Sequence, residues 1–191
     1  MKSDLHALLR RIKPQRGTTS LARRPSAALA WARDVPSLGA PLMLDTTVYI
    51  DILKGKTPPD VDALLLHRTC EHSCVCIAEL THAFGRLDPA DPRTKPALRE
   101  IAGLIERDIP AHRVHVPSTE TWMAAGMMAG LIARFTCAQR SQGHEHKILN
   151  DALVYLQAAR LGCAVLTRNI ADFDIINQVA SRGNVIFYQT S

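Results

Sequence analysis

Aromatic residues are scarce in this chain: four Phe, two Trp and three Tyr among 191 residues. So few rings offer no evident series of platforms on which single-stranded bases would stack. Cysteine is present, but not as a framework. Its five copies are odd in number and irregularly spaced, so free thiols in a reducing compartment are the simplest reading. Long apolar runs are missing. The least charged stretch, Trp122 to Ala133, is only twelve residues, too short to cross a bilayer. No secretory h-region is found near the N-terminus, where Lys2, Arg10, Arg11, Lys13 and Arg16 interrupt every apolar run. The expectation is a cytoplasmic protein without a membrane segment. There is no glycine-rich phosphate loop, and no Ser or Cys stands in a nucleophile elbow. Internal repeats and low-complexity tracts are also lacking.

What is present is enough apolar material, 47% of the residues, to bury the core of one α/β domain. The net charge of +5 is unevenly spread. Residues 1–40 hold eight Lys or Arg and two Asp, whereas the remainder holds fifteen Lys or Arg and sixteen Asp or Glu. The first forty residues therefore read as a basic N-terminal extension and residues 41–191 as a near-neutral domain. That extension is either a mobile basic tail, or sequence upstream of the natural start, or an arm that contacts RNA or a partner. Short helices are expected at Asp4–Ile12 and around Ser26–Ala32.

From Leu42 onward, strand-like and helix-like patterns alternate. Strands are expected at Leu42–Leu44, Ser73–Ile77, Arg113–Val116, Cys163–Thr167 and Asn184–Tyr188. Helices are expected at Thr46–Leu53, Asp60–Cys70, Ala78–Arg86, Ala97–Arg107 and, after a Ser118 or Thr119 cap, to about Thr136. Two more follow at Leu149–Leu161, closed by Gly162, and at Ile170–Ala180. Residues 87–96, with three prolines, and Ser141–His146 read as loops. The alternation predicts a three-layer α/β/α domain with a mostly parallel sheet of four to five strands.

Four acids fall where such a fold would collect them: Asp45, Glu79, Asp151 and Asp172. Asp45 directly follows the first strand, Glu79 lies two residues past the expected second, and Asn169 and Asp172 follow the fourth. Ligands of open parallel sheets bind beyond the carboxyl ends of the strands. Asp151 is expected in the first turn of its helix, where orphan N–H groups face anions. The acids stand 34, 72 and 21 residues apart in sequence, so only the fold brings them together. Singly, each could be a helix cap or a favourable charge on a helix dipole. Together they repel one another unless a hard cation is present, and Mg²⁺ or Mn²⁺ in a carboxylate pocket is the usual apparatus for cutting phosphodiesters.

Other constellations are weaker. Cys70, His72, Cys74 and Cys76 invite a zinc reading, but no second ligand pair follows at suitable spacing. His144 and His146 are not the i, i+4 pair of a zinc protease. Gly126 and Gly130 permit close helix packing, within the core or across a dimer, and core packing is the expectation.

The segments LDTTVYIDIL, IAEL and NDALVYLQAARLGCAVLTRNIADF, in that order, resemble the PIN-domain ribonucleases, in particular the VapC-type toxins of bacterial toxin–antitoxin pairs. The resemblance covers about residues 42–188. It implies a PIN-like fold and Mg²⁺-dependent endoribonuclease activity, with Mn²⁺ as a substitute. It places metal ligands and catalytic acids at Asp45, Glu79, Asp151 and Asp172, and polar helpers at Thr46, Thr167 and Asn169. By the same resemblance Asp45 and Asp151 bind metal directly, while Glu79 and Asp172 act through water or orient the nucleophile. It also implies an RNA substrate, a cognate antitoxin and a homodimer. Two features depart from the family pattern. Thr47 stands where relatives carry Asn or Ser, and the segment between Glu79 and Asp151 is long. Two other classes remain open: a non-catalytic PIN-like module that binds RNA or protein, and an aspartate-based phosphatase or receiver. The latter wants a second Asp where this chain has Thr47.

Overall fold

The computed structural model describes residues 2–13, 15, 21–136, 142–181 and 183–190, the side chains of 2–4 and 142–145 excepted. Its centre is a five-stranded sheet in which every pairing is parallel. The strands are β1 (Leu42–Leu44), β2 (Cys70–Ser73), β3 (Val114–His115), β4 (Ala164–Thr167) and β5 (Asn184–Phe187). Their spatial order is β3-β2-β1-β4-β5. The chain thus starts in the middle, builds outward to β3, then crosses to the other side of β1. That reversal creates a switch point between β1 and β4, where the two strands run in register from Leu42 against Ala164 to Leu44 against Leu166. All residues of β1 and β4 are buried, as expected for central parallel strands covered on both faces.

The flanking helices are α1 (Lys2–Ile12), α2 (Thr46–Leu53), α3 (Pro59–His67), α4 (Cys74–Arg86), α5 (Thr94–Gly103), α6 (Thr119–Phe135), α7 (Gln142–Leu161) and α8 (Ile170–Ala180). Side-chain caps explain several starts. Asp45 caps α2, Ser73 caps α4, Ser118 caps α6 and Asn169 caps α8, each accepting a backbone N–H in the first turn. Gly162, with φ +71°, supplies the left-handed residue that ends α7.

Several boundaries differ from the sequence expectation, and two of them move site residues. The second strand is Cys70–Ser73 rather than Ser73–Ile77, and the helix expected at Asp60–Cys70 ends at His67 to make room for it. Ser73 Oγ accepts from Val75 N at 3.2 Å, which turns Cys74–Ile77 into the first turn of α4. Residues 142–146, expected as loop, are helical, so α7 starts seven residues early. Ser141 and the side chains of His144 and Glu145 lie outside the described residues. The helix expected at Ala97–Arg107 begins at Thr94 with Pro96 inside its first turn, and ends in a π-turn over Leu104–Asp108. Gly126 and Gly130 are not packed in the core. Both are exposed, and a Cβ on either would meet open space.

Described residues of the basic segment pack onto the domain. Leu8 is buried and α1 lies against α6. Trp31 bridges to Phe187 alongside β5, its ring 6.3 Å from that of Phe187, and its indole N–H donates to the Ser26 carbonyl. Short 3₁₀ turns at Ser26–Ala28 and Ala32–Asp34 replace the longer helix expected there. Among the described residues, no helix is long and apolar enough to cross a membrane.

Candidate active site

Asp45 leaves β1 at the switch point and caps α2. Its Oδ2 accepts from the Thr47 hydroxyl at 2.6 Å, the Thr47 N–H at 3.3 Å and the Thr167 hydroxyl at 2.7 Å. Thr167 closes β4 and is fully buried. Its Oγ1 in turn accepts from Asn169 N at 2.8 Å. Asn169 then spans two further acids: its Nδ2 donates to Asp151 Oδ2 at 2.9 Å and to Asp172 Oδ2 at 3.0 Å. Glu79 is held at both oxygens, by Thr46 Oγ1 at 2.5 Å and Asn150 Nδ2 at 2.8 Å.

The seven residues singled out from the sequence thus form two hydrogen-bonded groups, Asp45–Thr167–Asn169 with Asp151 and Asp172, and Thr46–Glu79, within electrostatic reach of each other, although two residues arrive by other routes. Glu79 does not stand two residues past a strand. It is in the second turn of α4, six residues beyond β2. Asp151 does not open a helix. It sits in the middle of α7, away from any helix N-terminus, so the helix dipole gives its charge no support. Accordingly, burial pushes the Asp151 carboxyl well above its usual range, and the charges of Asp45 and Asp172 push it further. Burial likewise raises Asp45, with Glu79 adding to the rise, although the Thr47 and Thr167 hydroxyls pull the other way. Desolvation and mutual repulsion thus disfavour the charged forms that hydrogen bonds hold in place.

Two contributors were not singled out from the sequence. Asn150 positions Glu79, and its signal was its place beside Asp151 in the Asn-Asp-Ala segment. Lys147 donates from Nζ to Asp172 Oδ2 at 2.9 Å. It had no signal while residues 141–146 read as a loop. As helix, the segment sets Lys147 one turn before Asp151.

Two other buried acids are structural. Asp51 is paired with Arg168 at 2.7 Å and accepts from Tyr188 Oη at 2.8 Å. Asp174 accepts from Arg24 at both its backbone N and Nε. Cys74 and Cys76 lie in the first turn of α4, and Cys76 Sγ faces the Leu44 carbonyl at 3.5 Å.

Whether these residues suit a divalent cation rests on their donors. Among the described residues, no three His, Cys, Asp or Glu side chains are grouped to hold one ion between them. Mg²⁺ does not demand that, because it keeps several waters and is bound through one or two carboxylates. The hydrogen bonds to Asp45 and Asp151 from described residues all run to Oδ2, which leaves Oδ1 of each for a cation. A hard, all-oxygen donor set with charge repulsion to relieve fits Mg²⁺ or Mn²⁺.

No protein-family model matches the chain, and no curated protein matches it. Solved structures share its fold. The crystal structure of VapBC2 from Rickettsia felis bound to a DNA fragment from their promoter superposes with a TM-score of 0.53 and 13% identity, over 78% of this chain and 98% of that one. FitAcB from Neisseria gonorrhoeae gives a TM-score of 0.50 and 18% identity, over 76% and 96% of the two chains. The fold is thus PIN-like, an all-parallel α/β sheet flanked by helices.

Proposed function

We propose that this chain is a Mg²⁺-dependent endoribonuclease, the toxin of a type II toxin–antitoxin pair. The observation that carries the reading is the Asn169 bridge between Asp151 and Asp172, joined through Thr167 to Asp45. A chain of hydrogen bonds assembles buried carboxylates at the switch point of the sheet, against their own repulsion. The fold shared with VapBC2 and FitAcB supports the same reading and a cognate antitoxin. RNA as substrate, a cytoplasmic location and a homodimer belong to the proposal as well.

Asp45 and Asp151 would hold the ion. When bound, it supplies Lewis acidity toward the phosphodiester and acidifies the attacking water. Glu79, fixed at both oxygens by Thr46 and Asn150, orients that water. Asn169 keeps Asp151 and Asp172 at a set separation, and Thr167 fixes the rotamer of Asp45. Rigid placement of this kind is what in-line attack on phosphorus requires.

The test is cleavage of cellular RNA by the purified chain with Mg²⁺, with Mn²⁺ and with chelator, beside Asp45→Asn. Cleavage that needs the metal and vanishes in the variant is expected, together with growth arrest on expression of the wild type only. Equal cleavage by both proteins would falsify the assignment. RNA binding without cleavage would instead favour the non-catalytic module.

A further inference from the structure

The acidic basin already contains a cation of the chain's own. Lys147 rises from α7 one turn before Asp151 and places its ammonium on Asp172 at 2.9 Å, within the electrostatic reach of Asp151 and Asp45. Asp172 Oδ2 accepts from Lys147 Nζ and from Asn169 Nδ2. Among the described residues, the hydrogen bonds to Asp45 and Asp151 come instead from neutral donors, the Thr47 and Thr167 hydroxyls, the Thr47 N–H and the Asn169 amide. The basin is thus divided into an Asp45–Asp151 side held by neutral donors and an Asp172 side served by a tethered ammonium. Catalysis of phosphodiester cleavage by two ions uses both as a clamp about 4 Å apart. Here one half of such a clamp is met by Lys147.

We propose that Lys147 takes the place of a second divalent cation, so that the site loads one ion per chain, on the Asp45–Asp151 side. The inference rests on the nuclease reading, because it presumes that the basin is a metal site. Lys147 is a positioning residue in this scheme: it fixes Asp172 and supplies the positive charge that a second ion would otherwise bring. An arginine in its place keeps that charge, whereas a methionine keeps only the length and apolar stem.

The experiment counts Mn²⁺ ions, with calorimetry for stoichiometry and electron paramagnetic resonance for spacing. Wild type and Lys147→Arg should each bind one ion with an isolated-ion spectrum. Lys147→Met should bind two, with the broadening of neighbouring spins. Lys147 is more than half exposed but Asp172 is buried, so in chelator the methionine variant should melt below the wild type while staying folded at the temperature of the titration, which circular dichroism checks. Two ions in the wild type, or one in Lys147→Met, overturns the role of the lysine while the nuclease reading stands. Failure of the wild type to bind Mn²⁺ at all overturns that reading itself.

Discussion

Thr167 and Asp45, 122 positions apart in sequence, share a 2.7 Å hydrogen bond that ties the end of β4 to the end of β1. The bond sits where the order of strands reverses, so a single hydroxyl joins the two halves of the chain at the site. Thr167→Val keeps the shape and removes the donor. It leaves a buried carboxylate with one hydroxyl fewer and the Asn169 N–H without its acceptor. The expected loss is about 2 kcal/mol, read as a lower urea midpoint with an unchanged slope. Metal affinity should fall too, because Asp45 becomes harder to ionise. An unchanged midpoint would show that the bond is not holding the two ends.

The Asp51–Arg168 pair predicts an asymmetry. Asp51 is buried, while Arg168 is partly open to water. Arg168→Met leaves a buried carboxylate facing only Tyr188, and should cost about 3 kcal/mol. Asp51→Asn leaves a guanidinium that can turn to solvent and keeps an acceptor for Tyr188, at a cost of about 1 kcal/mol. Thermal melts of both variants decide it. Equal losses would mean that both charges are equally desolvated. Asp51→Asn should also bind Mg²⁺ as the wild type does, which separates the structural acid from those of the site.

Much of this was legible in the sequence because local signals and topology agreed. Leu42–Leu44 and Cys163–Thr167 are short apolar runs that end at polar residues, and central parallel strands look like that. The caps at Asp45 and Ser118 announce their helices. Cys74–Ile77 misled because small and β-branched residues suit a strand, and the Ser73 cap that turns them into helix is a single hydrogen bond. Residues 142–146 misled because they are polar, although a long helix can carry a polar first turn when its later turns are buried. Lys147 was hidden by that second error. Trp31 stands in the Ala-rich stretch Ser26–Ala32, where no apolar periodicity marks the ring for burial.

Asp151→Asn tests the repulsion directly. Burial and the charges of Asp45, Asp172 and Glu79 raise the Asp151 carboxyl against the pull of Lys147, so the folded state binds that proton more tightly than the unfolded state. Its contribution to stability is present below the ordinary carboxylate range and is lost as pH rises through the raised value. At pH 7 in chelator, the asparagine variant should therefore melt a few degrees above the wild type. Its side-chain oxygen still accepts from Asn169. With excess Mg²⁺ the order should reverse, because only the wild type gains stability by binding. A variant that melts lower in chelator would argue that Asp151 is not under electrostatic strain.

Asn150 fixes one oxygen of Glu79, and Thr46 fixes the other. Asn150→Ala should leave the melting temperature within about a degree, since the site is only half-buried. It should lower RNA cleavage by roughly 10- to 100-fold, the usual effect of losing a residue that orients a ligand or base. A drop in stability without a drop in rate would make Asn150 a scaffold residue instead.

A second pH-sensitive element lies at His72 in β2. His72 is buried, and Tyr49 Oη donates to its Nδ1 at 2.7 Å when the ring is neutral. Burial pushes the imidazole down from 6.5 to about 4, with Arg113 and His115 adding to the drop and Glu71 opposing it. Between those values the unfolded chain takes up a proton that the folded chain refuses. The stability held by His72 is thus complete above about pH 6.5 and is lost as pH falls through about 4, at most about 3 kcal/mol in all. The acidic cluster, with raised carboxyls, acts with the opposite sign, so the wild-type profile alone hides the effect. His72→Gln keeps an acceptor for Tyr49 and cannot titrate. Subtracting its urea midpoints from those of the wild type, at pH 7 and at pH 4.5, cancels the cluster. The wild type should lose ground against the variant on acidification, and a constant difference would show that His72 is already charged or freely solvated in the fold.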